Sequence, residues 1–99
     1  MIVVGGTFHV DPAERDAFIA ERASMIRRSR AEDGCLEYTF AADPVEADRV
    51  VLFERWADQA ALDAHLGALR SNPVGPAPQV EASSTSIVVY DVTGERKLV

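Results

Sequence analysis

From its N-terminus the chain alternates. Ile2, Val4, Gly6, Phe8 and Val10 fall on one side of an extended backbone and Val3, Gly5, Thr7 and His9 on the other, the period of two that marks a strand. Asp11-Pro12-Ala13-Glu14 follows, with an N-cap acceptor, a proline at the first helical position, and a glutamate placed to reach back to the cap. The period then lengthens: Phe18, Ile19, Ala23, Met25 and Ile26 recur at helical spacing. Glu14 and Asp16 sit near the positive end of this segment, and Arg27, Arg28 and Arg30 near the negative end. One helix over residues 12–31 is expected, closed by the turn Asp33-Gly34, where glycine can take the left-handed conformation.

Residues Cys35 to Ala42 predict a second strand, with Leu36, Tyr38 and Phe40 on one face and Cys35, Glu37, Thr39 and Ala41 on the other. A polar loop, 43–48, leads to a third strand, Arg49 to Trp56, and its length suits a hairpin between the two. Asp58 caps a second helix ending near Arg70, whose stripe is Ala61, Leu62, His65, Leu66 and Leu69. Three prolines and a glycine in residues 71–79 exclude helix and central strand, leaving an exposed loop or lid. The last strand is expected over Thr85 to Val92, with 93–99 as a tail and no internal repeat. The order β, α, β, β, α, β is the ferredoxin-like α+β arrangement, a four-stranded antiparallel sheet with both helices on one face. The other face would be bare in a monomer, so two sheets are expected to pack face to face in a homodimer.

Ninety-nine residues are expected to form one domain, 1–99, with no room for a second among them. Ten basic against sixteen acidic side chains give a charge of -6, the wrong sign for neutralising phosphates, so neither nucleic acid nor an anionic membrane is an expected partner. One cysteine forms no internal disulfide, and Met1 to Gly6 lacks the cationic stretch of a signal peptide, which predicts a cytoplasmic protein. No apolar run approaches the roughly 18 residues of a membrane span.

Candidate chemistry is first limited by absences. Cys35, His9 and His65 make no CxxC or HExxH spacing, so no metal is expected; Gly5-Gly6 is neither a dinucleotide fingerprint nor a P-loop, and marks a bulge or a close approach of another backbone or a ligand. Glu32, Asp33 and Glu37 around Cys35 work against a nucleophilic thiolate and favour a packed residue. His9 is read as a solvent or interface histidine.

Glu54-Arg55-Trp56, followed by Asp58, Leu62 and His65, is the informative cluster. Separately, Trp56 fills the core, Glu54 pairs with Arg49 or Arg55, and His65 is a satisfied core histidine. Together, an indole, an imidazole and a carboxylate border one cavity. A histidine accepts protons near neutral pH, and aromatic walls hold a flat substrate such as a phenol, quinol or anthrone. Such a substrate, once deprotonated, passes an electron to dioxygen itself. The protein then needs no flavin, haem or metal and has to orient, desolvate and stabilise the anion.

The runs Ser29-Arg30-Ala31-Glu32-Asp33-Gly34-Cys35-Leu36-Glu37-Tyr38, Phe53-Glu54-Arg55-Trp56 and Asp58-Gln59-Ala60-Ala61-Leu62-Asp63-Ala64-His65 resemble the antibiotic biosynthesis monooxygenase (ABM) domain family. The resemblance covers about residues 1–70 and the last strand. It implies a dimeric α/β barrel, a pocket between sheet and helices, and cofactor-free oxygenation of quinols or polyketide anthrones. It matches Trp56 to the family's strand-end tryptophan, His65 to its helix-two histidine and Glu54 to the glutamate before the tryptophan. Related haem-degrading members use an asparagine in the first strand, where this chain has Gly5, Gly6 and Thr7, and the proline-rich segment after His65 also departs from the family pattern.

The resulting expectation is a monooxygenase acting on a small aromatic substrate with O2. His65 and Trp56 are its catalytic residues, with Trp56 placing the substrate ring, and Glu54, Tyr38, Phe40 and Phe8 are its substrate-binding residues. Two alternatives remain open: a non-catalytic dimer that binds a hydrophobic metabolite in the same cavity, and an oxygen-independent isomerase.

Overall fold

The computed structural model describes all residues, Met1–Val99. Four strands, β1 (Ile2–His9), β2 (Cys35–Ala42), β3 (Arg49–Trp56) and β4 (Ser84–Asp91), form one sheet in the order β2-β3-β1-β4. Every neighbouring pair is antiparallel. Helices α1 (Arg15–Ala20), α2 (Ala23–Ala31) and α3 (Gln59–Ser71) complete the ferredoxin-like fold. Its main core joins Ile2, Val4, Tyr38, Leu52 and Trp56 of the sheet to Leu62 of α3, with Met25 and Ile26 of α2 packed against them. A smaller cluster of Val10, Phe18 and Val50 closes the other end.

The single helix expected over 12–31 is in fact three pieces. Pro12–Glu14 is a 3-10 turn whose cap, Asp11, accepts the Ala13 N–H at 2.9 Å, and Glu14 makes no return bond with its side chain. A second break separates α1 from α2. The Arg22 N–H turns to the Ile19 carbonyl three residues back at 3.0 Å, and the Phe18 carbonyl it would have used in a continuous helix is taken instead by Arg22 Nη1 at 2.7 Å. A side chain thus satisfies the orphaned acceptor, which makes the break stable.

β2 also departs from simple alternation. Cys35 pairs with Trp56 and Glu37 with Arg55, so Leu36 is the extra residue of a bulge. Cys35 therefore joins the Tyr38 and Phe40 side and packs against the core. Leu36, expected beside Tyr38, is 48% exposed. The Gly5-Gly6 pair carries no bulge. A β-carbon on Gly6 would lie 3.2 Å from Leu52 Cβ and 3.3 Å from Ile87 Cγ1, so what crowds this site is the side chains of the two flanking strands and not another backbone.

β4 is an edge strand paired only with β1. Its alternation sends Ile87 and Val89 toward the helices and Val88 and Tyr90 to the outer face, beside Gly5, Thr7, Val51 and Phe53. Phe53 and Tyr90 are 41% and 54% exposed there, so the outer face is an uncovered apolar surface. No helix is long and apolar enough to cross a membrane.

Candidate active site

The period of two in β3 sends Val50, Leu52, Glu54 and Trp56 to the helix side, all buried. A carboxylate at such a position needs a partner. It finds one two residues along its own strand: the Trp56 indole Nε1–H donates to Glu54 Oε1 at 2.9 Å. Burial lifts the Glu54 carboxyl above its usual range, while the indole bond and the neighbouring His65 act in the opposite direction. Arg49 and Arg55, the alternative partners, are engaged elsewhere, Arg49 with Asp43 at 2.6 Å and Arg55 with Glu37 at 3.5 Å.

α3 supplies the imidazole. Asp58 caps it by accepting the Ala61 N–H at 2.9 Å, and Leu62 and His65, three residues apart, are its buried positions. The His65 ring, 2% exposed, lies with its centroid 4.6 Å from Trp56 and 5.2 Å from Tyr38. Its Nδ1 is 2.7 Å from Glu32 Oε1, a residue just beyond the end of α2. A carboxylate there accepts from a proton on Nδ1, and Nε2 makes no hydrogen bond within the chain. Burial, and then the charge of Glu54, push the Tyr38 phenol well above its usual pKa, so it stays neutral.

Gly34 brings Glu32 to this place. Its φ of +80° is one that L side chains rarely adopt, and a β-carbon there would lie 2.6 Å from Ala61 Cβ. The turn therefore presses directly on α3, and its carbonyl accepts the Ala57 N–H at 2.8 Å.

Between sheet and helices lies a cavity of about 420 Å³. Of the fourteen residues lining it, eleven are hydrophobic; the other three are Arg22, Glu54 and His65. Of the residues singled out from the sequence, His65, Glu54, Tyr38, Phe40 and Phe8 all line this space. Trp56 does not: it is 0% exposed and stands behind Glu54 and His65. Sequence reasoning missed Glu32, whose pairing with His65 depends on the turn at Gly34. It also missed Arg22, although a charge falling between Phe18 and Met25 on the apolar stripe of a helix was a visible signal. The proline-rich loop packs beside the cavity. Glu21 Oε2 holds the Gln79 and Val80 N–H groups at 3.1 Å each, and Arg22, Met25 and Leu69 line both the cavity and the space under the loop.

The sequence profile of the family described as antibiotic biosynthesis monooxygenase, ABM, matches residues 1–70. The chain belongs to the ABM family. This ABM chain is 34% identical over 98 residues to sll1783 of Synechocystis, a protein whose name assigns no activity; the match covers 98% of this chain and 67% of the relative. It is 35% identical over 65 residues, 66% of its length and 68% of the relative's, to YcnE of Bacillus subtilis, which is provisionally named a monooxygenase. Among solved structures, Rv0793 from Mycobacterium tuberculosis superimposes on the ABM chain with a TM-score of 0.74 and 28% identity, covering 97% of this chain and 98% of that one.

Proposed function

We propose that this ABM chain is a cofactor-independent monooxygenase that oxidises a small aromatic quinol or anthrone-type substrate with O2. The observation that carries the reading is the His65–Glu32 pair. An imidazole in the wall of an apolar cavity, its Nδ1 held by a carboxylate at 2.7 Å and its other nitrogen without a partner in the chain, is suited to act as a general base.

In this reading Nε2 takes a proton from the bound substrate, and Glu32 stabilises the imidazolium that forms. Phe8, Phe40 and Tyr38 hold the ring, with Phe8 and Phe40 stacked 5.5 Å apart. Trp56 is a positioning residue that fixes Glu54 by its indole bond and packs against His65. For an anthrone, the carbanion left by deprotonation gives its electrons to O2 and forms a C–O bond, and His65 returns its proton to the peroxide. Loss of water then leaves a carbonyl, so CH2 and O2 become C=O and H2O. The apolar walls favour a delocalised anion over a hydrated one.

The working unit in this proposal is a homodimer joined through the outer face of the sheet, where Phe53, Val88 and Tyr90 are exposed. The test of the activity is oxygen uptake by metal-stripped protein with reduced quinols and anthrones, wild type beside His65→Ala. Saturable uptake above the uncatalysed rate, lost in the variant, is the expected result. Binding without uptake moves the reading to a non-catalytic carrier, and substrate conversion without oxygen moves it to an isomerase.

A further inference from the structure

Arg22 is the one permanent cation in the wall of the cavity. It sits at the break between α1 and α2 and is held rigidly there, with Nη1 on the Phe18 carbonyl at 2.7 Å and its guanidinium stacked 3.6 Å over the Phe18 ring. Its charge is poorly matched within the chain. Glu21, the one carboxylate within ion-pair distance, is 3.9 Å away and already holds the Gln79 and Val80 N–H groups. No hydrogen bond within the chain uses Arg22 Nε or Nη2. Burial pulls its pKa down, opposed chiefly by Glu21, which records the same imbalance: a desolvated cation without a full counter-ion.

The cavity therefore has two chemically distinct ends. Arg22 lies 6.0 Å from the Phe40 ring, and His65 lies 5.2 Å from the Tyr38 ring. Tyr38 and Phe40 are alternate residues on one face of β2 with ring centroids 6.1 Å apart. A ligand lying along these two rings meets a cation at one end and a proton acceptor at the other.

We propose that the cavity is selective for a hydroxylated aromatic carboxylic acid, its carboxylate taken by Arg22 and its hydroxyl or acidic carbon presented to His65. A planar fork with two unused donor nitrogens suits a carboxylate. A doubly charged phosphate is disfavoured, because no second basic residue lines the space and Glu54 is a further acidic group in its wall. The inference rests on the reading of this cavity as the substrate site, but its test does not require turnover.

The test is calorimetric titration at pH 7.5 with 6-hydroxy-2-naphthoate and with the matching neutral amide, on wild type, Arg22→Lys and Arg22→Met. Wild type is expected to bind the acid about tenfold or more tightly than the amide. Arg22→Met is expected to lose that preference while keeping its affinity for the amide, and Arg22→Lys to keep part of it. Equal binding of acid and amide by wild type, no measurable binding of the acid, or an unchanged preference in Arg22→Met overturns the proposal. Arg22 also holds the Phe18 carbonyl, so an unfolded Arg22→Met is anticipated by a second measurement on wild type. Dicarbonyl labelling of arginines, mapped by peptide mass, is expected to spare Arg22 when the acid is present and not when the amide is; equal labelling in both overturns the proposal. Arg22-dependent acid binding with no oxygen uptake on any substrate would sink the oxygenase reading and leave this one standing. Uptake on neutral quinols with no preference for acids would do the reverse.

Discussion

His65 Nδ1 and Glu32 Oε1 are 2.7 Å apart across 33 positions of sequence, joining the buried face of α3 to the residue that follows α2. In the proposed function this contact is what makes a core histidine the base, by favouring the tautomer with its proton on Nδ1. His65→Ala is expected to lower kcat by about 10²- to 10⁴-fold. Glu32→Leu removes both the charge and the acceptor and is expected to cost about 10²-fold, with Glu32→Gln retaining more because its amide oxygen still accepts the Nδ1 proton. Imidazole nitrogen NMR checks the cause: the Nδ1-protonated tautomer should dominate in wild type and mix with the other form in Glu32→Leu.

The Glu54–Trp56 bond predicts a pH-dependent stability defect. Glu54 has a raised folded-state pKa, so its ionisation opposes folding: stability falls as pH rises through that raised value and recovers as pH falls toward the ordinary 4.5. Trp56→Phe removes the indole donor that offsets the shift. It is expected to cost about 1–3 kcal/mol at neutral pH beyond any loss of packing, with the deficit narrowing toward pH 4.5. Urea denaturation followed by circular dichroism measures it, since Trp56 is the chain's one tryptophan and its fluorescence is lost in the variant.

Asp43 has the opposite sign. The Glu46 and Val45 N–H groups, and then Arg49, hold its carboxyl down to about 2 from an ordinary 3.8. Its contribution is therefore complete above 3.8 and lost as pH falls through about 2. Asp43→Asn should melt below wild type at pH 7, and the two melting curves should converge as pH falls from 4 to 2.

Gly34→Ala tests how Glu32 is delivered. A methyl group at φ +80° and 2.6 Å from Ala61 Cβ forces the turn away from α3. Destabilisation of about 2 kcal/mol or more is expected, together with loss of the Nδ1 tautomer preference of His65. An unchanged tautomer in a folded Gly34→Ala variant would show that the turn does not position Glu32.

Phe53→Asp tests the proposed dimer. Wild type is expected to sediment at twice the 10.8 kDa of the chain and the variant at 10.8 kDa, because a carboxylate in the middle of an apolar sheet face is not desolvated without a partner. A monomeric wild type at micromolar concentration would remove the homodimer from the proposal.

The strands and α3 were legible because each period is local. Alternation in Arg49–Trp56 placed Glu54 and Trp56 on one face without reference to the rest of the chain, and the spacing of Leu62, His65, Leu66 and Leu69 located the inner side of α3. The misreadings came where a side chain or an extra residue interrupts a period. Arg22 takes the Phe18 carbonyl and splits the first helix; Leu36 enters the ladder as a bulge and exchanges faces with Cys35.

By itself the sequence determined the order of strands and helices, the faces of β1 and β3 and the motifs of an ABM chain, since all of these depend on neighbours within a turn or a strand. Only the tertiary structure decided that Glu32 holds His65, that Trp56 stands behind the cavity wall, and that Arg22 enters that wall. Those outcomes depend on how the Gly34 turn seats against α3 and how α1 and α2 bend over the sheet. Such long-range packing brings together residues whose positions along the chain carry no common period.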